Sequence, residues 1–160
     1  MNKNEIANIS WPTQAAIYGS GFFSFSMVLI SSLVVTVMAY ELTHSEFLIG
    51  MVVGSRYFLT LALSIHGGVL MDRFGTRQVM IFVAAIATAA PVFFPLALAL
   101  PTGPAITAII LLQMINGVSD TMVWMGTQAL SGQIMKGRQH YISRMTSIVR
   151  LGAFLGPILF

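Results

Sequence analysis

The sequence predicts an all-α, polytopic membrane protein built as a bundle of about five transmembrane helices. Two observations carry this expectation. The 160-residue chain is 56% hydrophobic and 8% charged, whereas a soluble domain carries roughly 25% charged residues. Its apolar residues also fall into runs of about 20, the helix length that crosses a bilayer core, separated by short polar links. A mean hydropathy of +0.84 agrees.

The first run, Ala15–Tyr40, follows a polar segment, Met1–Gln14. At about 25 residues it exceeds the 7–15-residue apolar stretch of a cleavable signal, so it reads as a retained span. Ser20, Ser24 and Ser31 recur at helical spacing on one face, which suits either substrate contact or close helix packing. The second run, Phe47–Met71, contains Arg56, His66 and a small-xxx-small pair, Gly50 and Gly54, of the kind that lets helix backbones approach. Arg56 suits an anion anchor or a structural tie, and His66 a pH sensor or an interfacial hydrogen bond. The third run, Val79–Leu100, carries Pro91 and Pro95, which remove intrahelical donors and bend a helix.

The fourth run, Ala105–Leu130, holds a polar stripe. Gln113, Asn116, Asp120, Trp124, Thr127 and Ser131 recur at steps of three or four and share one face. Asp120 there serves either a cationic substrate group or coupling proton, or a buried ion pair. The fifth run, Ile142–Phe160, contains Arg150, a second small pair at Gly152 and Gly156, and the bend-forming Pro157. Ionisable groups within spans are costly and need a partner or a wet cavity. Counted from the inner side, Arg150 lies about 12 Å deep and Asp120 about 15 Å deep at 1.5 Å per residue. Matching depths predict that these two pair, and that Arg56, entering from the other side, does not.

Charge distribution orients the bundle. Lys3, Arg73, Arg77, Lys136, Arg138 and Arg144 fall on one side, whereas the links Glu41–Glu46 and Pro101–Pro104 contain no Lys or Arg. By the positive-inside rule the N-terminus and the links Asp72–Gln78 and Ser131–Tyr141 are cytoplasmic. The formal charge of +3 does not indicate nucleic acid, because the basic residues form no stripe able to follow a phosphate backbone. Absence of cysteine excludes disulfides, thiolate metal sites and Cys nucleophiles. There is no H-E-x-x-H, no G-x-S-x-G and no Walker loop, so neither an enzyme nor direct use of ATP is expected, and no cofactor or metal.

The link between the second and third runs, Gly67 to Arg77, fits the pattern G-x-L-x-D-R-x-G-x-R through Gly68, Leu70, Asp72, Arg73, Gly75 and Arg77. It resembles the signature loop of the major facilitator superfamily of secondary transporters. Leu42–Gly50 is similar to the L-T-x-S-x-x-x-x-G that follows the first helix in that family, and Arg150–Pro157 resembles a fifth-helix G-x-x-x-G-P element of its exporters. The chain departs from the family pattern at Thr76, at Gln113 where an Arg is frequent, and at Ser131-Gly132-Gln133 where an acid is frequent.

The resemblance implies a secondary transporter of a small solute, efflux as its direction and a proton gradient as its driving force. It also implies two six-helix halves with substrate between them. Residues 1–160 then correspond to a truncated N-terminal half, with the lipid bilayer, a small-molecule substrate and a missing second half as partners. Asp72, which follows the second span, is expected to cap the next helix or pair with Arg77, so that Gly68, Asp72, Arg73, Gly75 and Arg77 gate one access state. The substrate or ion pathway is assigned to Arg56, Gln113, Asn116, Asp120 and Arg150. Packing and bending are assigned to Gly152, Gly156 and Pro157. The expected location is the inner (plasma) membrane of a bacterium. A short helical module that binds a membrane partner without transport is the competing reading.

Overall fold

The computed structural model describes residues 10–135 and 139–159. Among the described residues five helices follow in chain order: α1 (Trp11–Thr43), α2 (Glu46–Phe74), α3 (Thr76–Ala97), α4 (Thr102–Met135) and α5 (Gln139–Leu159). Trp11–Thr43, Glu46–Leu63, Thr76–Ala97 and Thr102–Met135 are long and apolar enough to cross a membrane, and α5, which carries Arg144 and Arg150, does not meet that measure.

α1, α2 and α4 run longer than the apolar runs that signal them, because backbone hydrogen bonding continues past the point where hydropathy falls, whereas α3 starts earlier than expected and ends at Ala97 rather than Leu100. Pro12 stands in the first turn of α1, where its missing N–H costs nothing. The helix continues to Thr43 and stops where His44 turns left-handed (φ 48°) and returns its N–H to Tyr40 O at 3.0 Å. The link to α2 is therefore His44-Ser45 alone rather than Glu41–Glu46.

The predicted Asp72–Gln78 loop contracts further. α2 reaches Phe74 and α3 starts at Thr76, so only Gly75 joins them, at φ 86°. A side chain rarely adopts that conformation, whereas glycine does so freely. At the far end α4 runs through Ser131-Gly132-Gln133 to Met135. Lys136 and Arg138, expected in the inner link, lie outside the described residues, as does Lys3.

α4 is the organising helix. It packs along α2 on one side and α3 on the other, while α1 packs along α5 and α4 barely touches α5. One apolar cluster, Val35, Ala39, Val52, Phe94, Ala97 and Ile109, joins α1 to α4 at the end away from Gly75. At the other end Tyr18, Met135, Tyr141, Met145 and Val149 join α1, α4 and α5. The α1–α5 contact is close because Gly152 and Gly156 are buried against Phe22 and Ser26, where an added Cβ would approach Phe22 O to 2.5 Å and Ser26 Cβ to 2.8 Å. Ser26 Oγ strengthens that seam by donating to Gly152 O at 2.8 Å. Gly50 and Gly54 do not act this way. A Cβ at either would meet nothing within 4 Å, so the expected packing pair in the second span is open on that face.

Candidate functional site

Where α2 crosses α4, Gly117 removes the side chain that would collide with the backbone oxygen of Arg56. This close approach lays the Arg56 side chain along α4, one turn from Gly117, where Arg56 Nη2 donates to Asp120 Oδ2 in an ion pair. The arginine side chain is 5% exposed and the aspartate 24%, so the cation is enclosed and the anion still borders open space. Among the described residues three further polar atoms of α2 and α4 are buried without a hydrogen-bond partner: Arg56 Nη1, Gln113 Oε1 and Asn116 Oδ1. Buried polar atoms are nearly always satisfied, so these two amide acceptors and one guanidinium donor are open to a hydrogen-bonding partner such as water.

Two clefts meet at Asp120. The larger, about 390 Å³, opens between α1, α3 and α4 and is lined by Ser24, Phe25, Ser31, Asn116, Asp120 and Trp124 among others. The smaller, about 140 Å³, lies between α1, α2 and α4 and is lined by Arg56, Tyr57, Thr60, Asp120 and Trp124 with apolar neighbours. Phe25 and Trp124 belong to both and meet edge to face, with ring centroids 4.8 Å apart. They form an aromatic wall beside the carboxylate. The larger cleft falls within the roughly 300–1,000 Å³ typical of small-molecule sites, which pair apolar walls with a few polar groups. A still larger groove of about 580 Å³ between α2, α3 and α4 offers mainly aliphatic and Phe side chains, with Gln78 and Ser119 its polar groups. Its lining suits lipid chains, and the charged pair lies elsewhere.

The pairing expected from depth is overturned. Asp120 pairs with Arg56, and Arg150 lies exposed on the face of α5 turned away from α1. Depth was counted from Leu130, whereas α4 runs on to Met135, and partners in a bundle are chosen by lateral adjacency. α2 lies against α4 and α5 against α1. Within the polar stripe, Asn116, Asp120, Trp124 and Thr127 line the larger cleft, while Gln113 and Ser131 are buried without lining it. Ser24 and Ser31 line it too. Ser20 is exposed and donates to Ile17 O at 2.9 Å.

The expected contacts of Asp72 are also corrected. It sits in the last turn of α2, exposed, without an ion pair to Arg77, and the residue preceding α3 is Gly75 rather than a capping side chain. Extension of α2 carries Asp72 away from the start of α3. Arg73 lies beside Phe74, its guanidinium carbon 5.6 Å from the ring centroid, and Arg77 is exposed in the first turn of α3. Gly68 is half-buried, and Pro157 lies exposed inside α5. Sequence reasoning missed Gly117 and Phe25. Gly117, next to Asn116 of the polar stripe, is the mark of close approach that the sequence carries at this site.

The family model of the Major Facilitator Superfamily matches residues 16–160. The chain belongs to the major facilitator superfamily. Neither curated proteins nor solved structures gave a match. As a member of that family the chain is part of the transmembrane transport machinery of small solutes, an integral multi-pass membrane protein in contact with the bilayer.

Proposed function

We propose that the chain is one helical bundle of a secondary transporter that exports a small amphipathic solute bearing a cationic group, driven by a proton gradient. A second bundle faces it and completes the central site. The observation that carries this reading is the position of Asp120, tied to buried Arg56 through one oxygen yet partly open to both clefts and walled by Phe25 and Trp124. A solute cation or a proton arriving at Asp120 competes with Arg56 for the carboxylate. Occupancy of the site is thereby coupled to the α2–α4 contact, a requirement for switching between access states. The aromatic wall supplies apolar contact and a π face to the same cation.

The bundle lies in the inner membrane of a bacterium, with the N-terminus and the α2–α3 junction in the cytoplasm and α5 as the fifth span. Lys and Arg on one side only support that orientation. At the junction Asp72 and Arg77 each stand at the unfavourable pole of their helix, since anions are disfavoured at a C-terminus and cations at an N-terminus. Gly68, Asp72, Arg73, Gly75 and Arg77 are therefore assigned to contacts with the facing bundle that hold one access state.

Accumulation of lipophilic cations in cells with and without the protein tests the reading. Wild type lowers accumulation, a protonophore abolishes the difference, and the neutral double variant Arg56→Gln/Asp120→Asn, present at normal abundance, does not lower it. Export that survives the protonophore refutes proton coupling, and export by the double variant at the wild-type rate removes the pair from the pathway.

A further inference from the structure

α5 gives one face to α1 and leaves the opposite face uncovered. Tyr141, Met145, Val149, Gly152 and Gly156 are buried at steps of three and four, whereas Ser143, Thr146, Ser147 and Arg150 are exposed. Ser143 Oγ donates to His140 O and Thr146 Oγ1 to Ile142 O, both at 3.0 Å, so these hydroxyls are satisfied within the helix. Arg150 makes no hydrogen bond or ion pair with any described residue. It stands about 11 residues, or roughly 16 Å, from the Gln139 end of a 21-residue helix, near its midpoint.

No anion on the described chain can serve it. Glu41 and Glu46 sit at the ends of α1 and α2 away from Gly75, Asp72 at the opposite end, and Asp120 is held by Arg56. A phosphate headgroup lies about 15 Å from mid-bilayer, farther than the side chain of a snorkelling arginine extends. A second copy is unsuitable, because a two-fold α5–α5 contact sets Arg150 against Arg150.

We propose that the Arg150 face of α5 is a docking surface for a membrane helix of the facing bundle that carries one Asp or Glu near mid-bilayer. The proposal rests on the reading of α5 as a span in a two-bundle transporter, and adds the chemistry of the partner. Ser143, Thr146 and Ser147 keep that face slim on the Gln139 side of Arg150, exposed Phe154 one turn beyond supplies apolar contact, and the guanidinium sets register and depth.

The test uses Arg150→Lys protein in its native membrane with dicyclohexylcarbodiimide as probe. The reagent activates a carboxylic acid, the adjacent lysine amine attacks it, and an amide forms with release of the dialkylurea. Peptide mapping should find residue 150 joined to an Asp or Glu inside an apolar segment outside residues 1–160. A link to Asp120, to a second copy or to a lipid carboxyl overturns the proposal, as does no link at normal protein abundance. As a second measurement, Arg150→Glu should lower membrane abundance about tenfold and Lys at the mapped acid should restore it; no restoration overturns the pairing. Single cysteines at His140 and Ile158 separate the two layers of inference. If an impermeant maleimide labels both from one side, α5 does not span, and the underlying reading fails along with the pairing.

Discussion

Asp120→Asn removes the anion that, among the described residues, the enclosed Arg56 guanidinium contacts. The Arg56 side chain is 5% exposed and its Nη1 already lacks a partner, so the variant leaves a buried cation with little to replace the lost charge. Breaking one side of a buried pair typically costs about 3–5 kcal/mol, which corresponds to about 160- to 4,600-fold in a folding equilibrium. Against a total stability of about 5–15 kcal/mol this is a large fraction. Asp120→Asn should therefore sharply reduce membrane abundance and thermal stability in detergent, read by size-exclusion chromatography of a fluorescent fusion after heating. Arg56→Gln added to Asp120→Asn should recover at least half of the loss, because no uncompensated charge remains. Arg150→Gln added instead should recover none, since Arg150 lies on another helix face. Wild-type stability of Asp120→Asn, or rescue by Arg150→Gln, would refute the argument.

Gly117→Ala should lower abundance severely, because the new Cβ meets the Arg56 backbone, whereas Gly50→Ala should be tolerated in the same assay. Ser26→Ala should cost about 0.6 kcal/mol, the average for hydrogen bonds between membrane helices, and at most about 1.7 kcal/mol, through loss of its bond to Gly152 O, seen as a modest fall in thermal stability. A cysteine at Arg77 should react with an impermeant maleimide only from the cytoplasmic side and one at Glu46 only from the other; labelling at Arg77 from outside would invert the topology. Asp72→Asn should reduce transport with abundance nearly unchanged, since the side chain is exposed and unpaired within the bundle, and an unaltered rate would leave Arg73 and Arg77 a purely topological role.

Composition and apolar run length were enough to determine the membrane environment, the helical class and the order of the helices, because a bilayer imposes one length scale on every segment that crosses it. Local motifs were legible for the same kind of reason. Gly75 is demanded by a backbone angle, and Gly152 with Gly156 by the approach of one backbone to another, so both leave a mark in the residue itself. Helix ends were less legible, since hydropathy reports where lipid ends and not where hydrogen bonding ends. α2 and α4 therefore run on through residues assigned to loops.

The partner of Asp120 was decided by tertiary structure alone. Depth along a span is written in the sequence, but the rotation of each helix and the identity of its neighbour arise from packing of side chains far apart in the chain. Gly117 against Arg56 brings α2 onto α4, and Val149, Gly152 and Gly156 turn α5 onto α1. Those lateral choices put Arg56 beside Asp120 and leave Arg150 facing outward, a result no count of residues from the membrane surface contains.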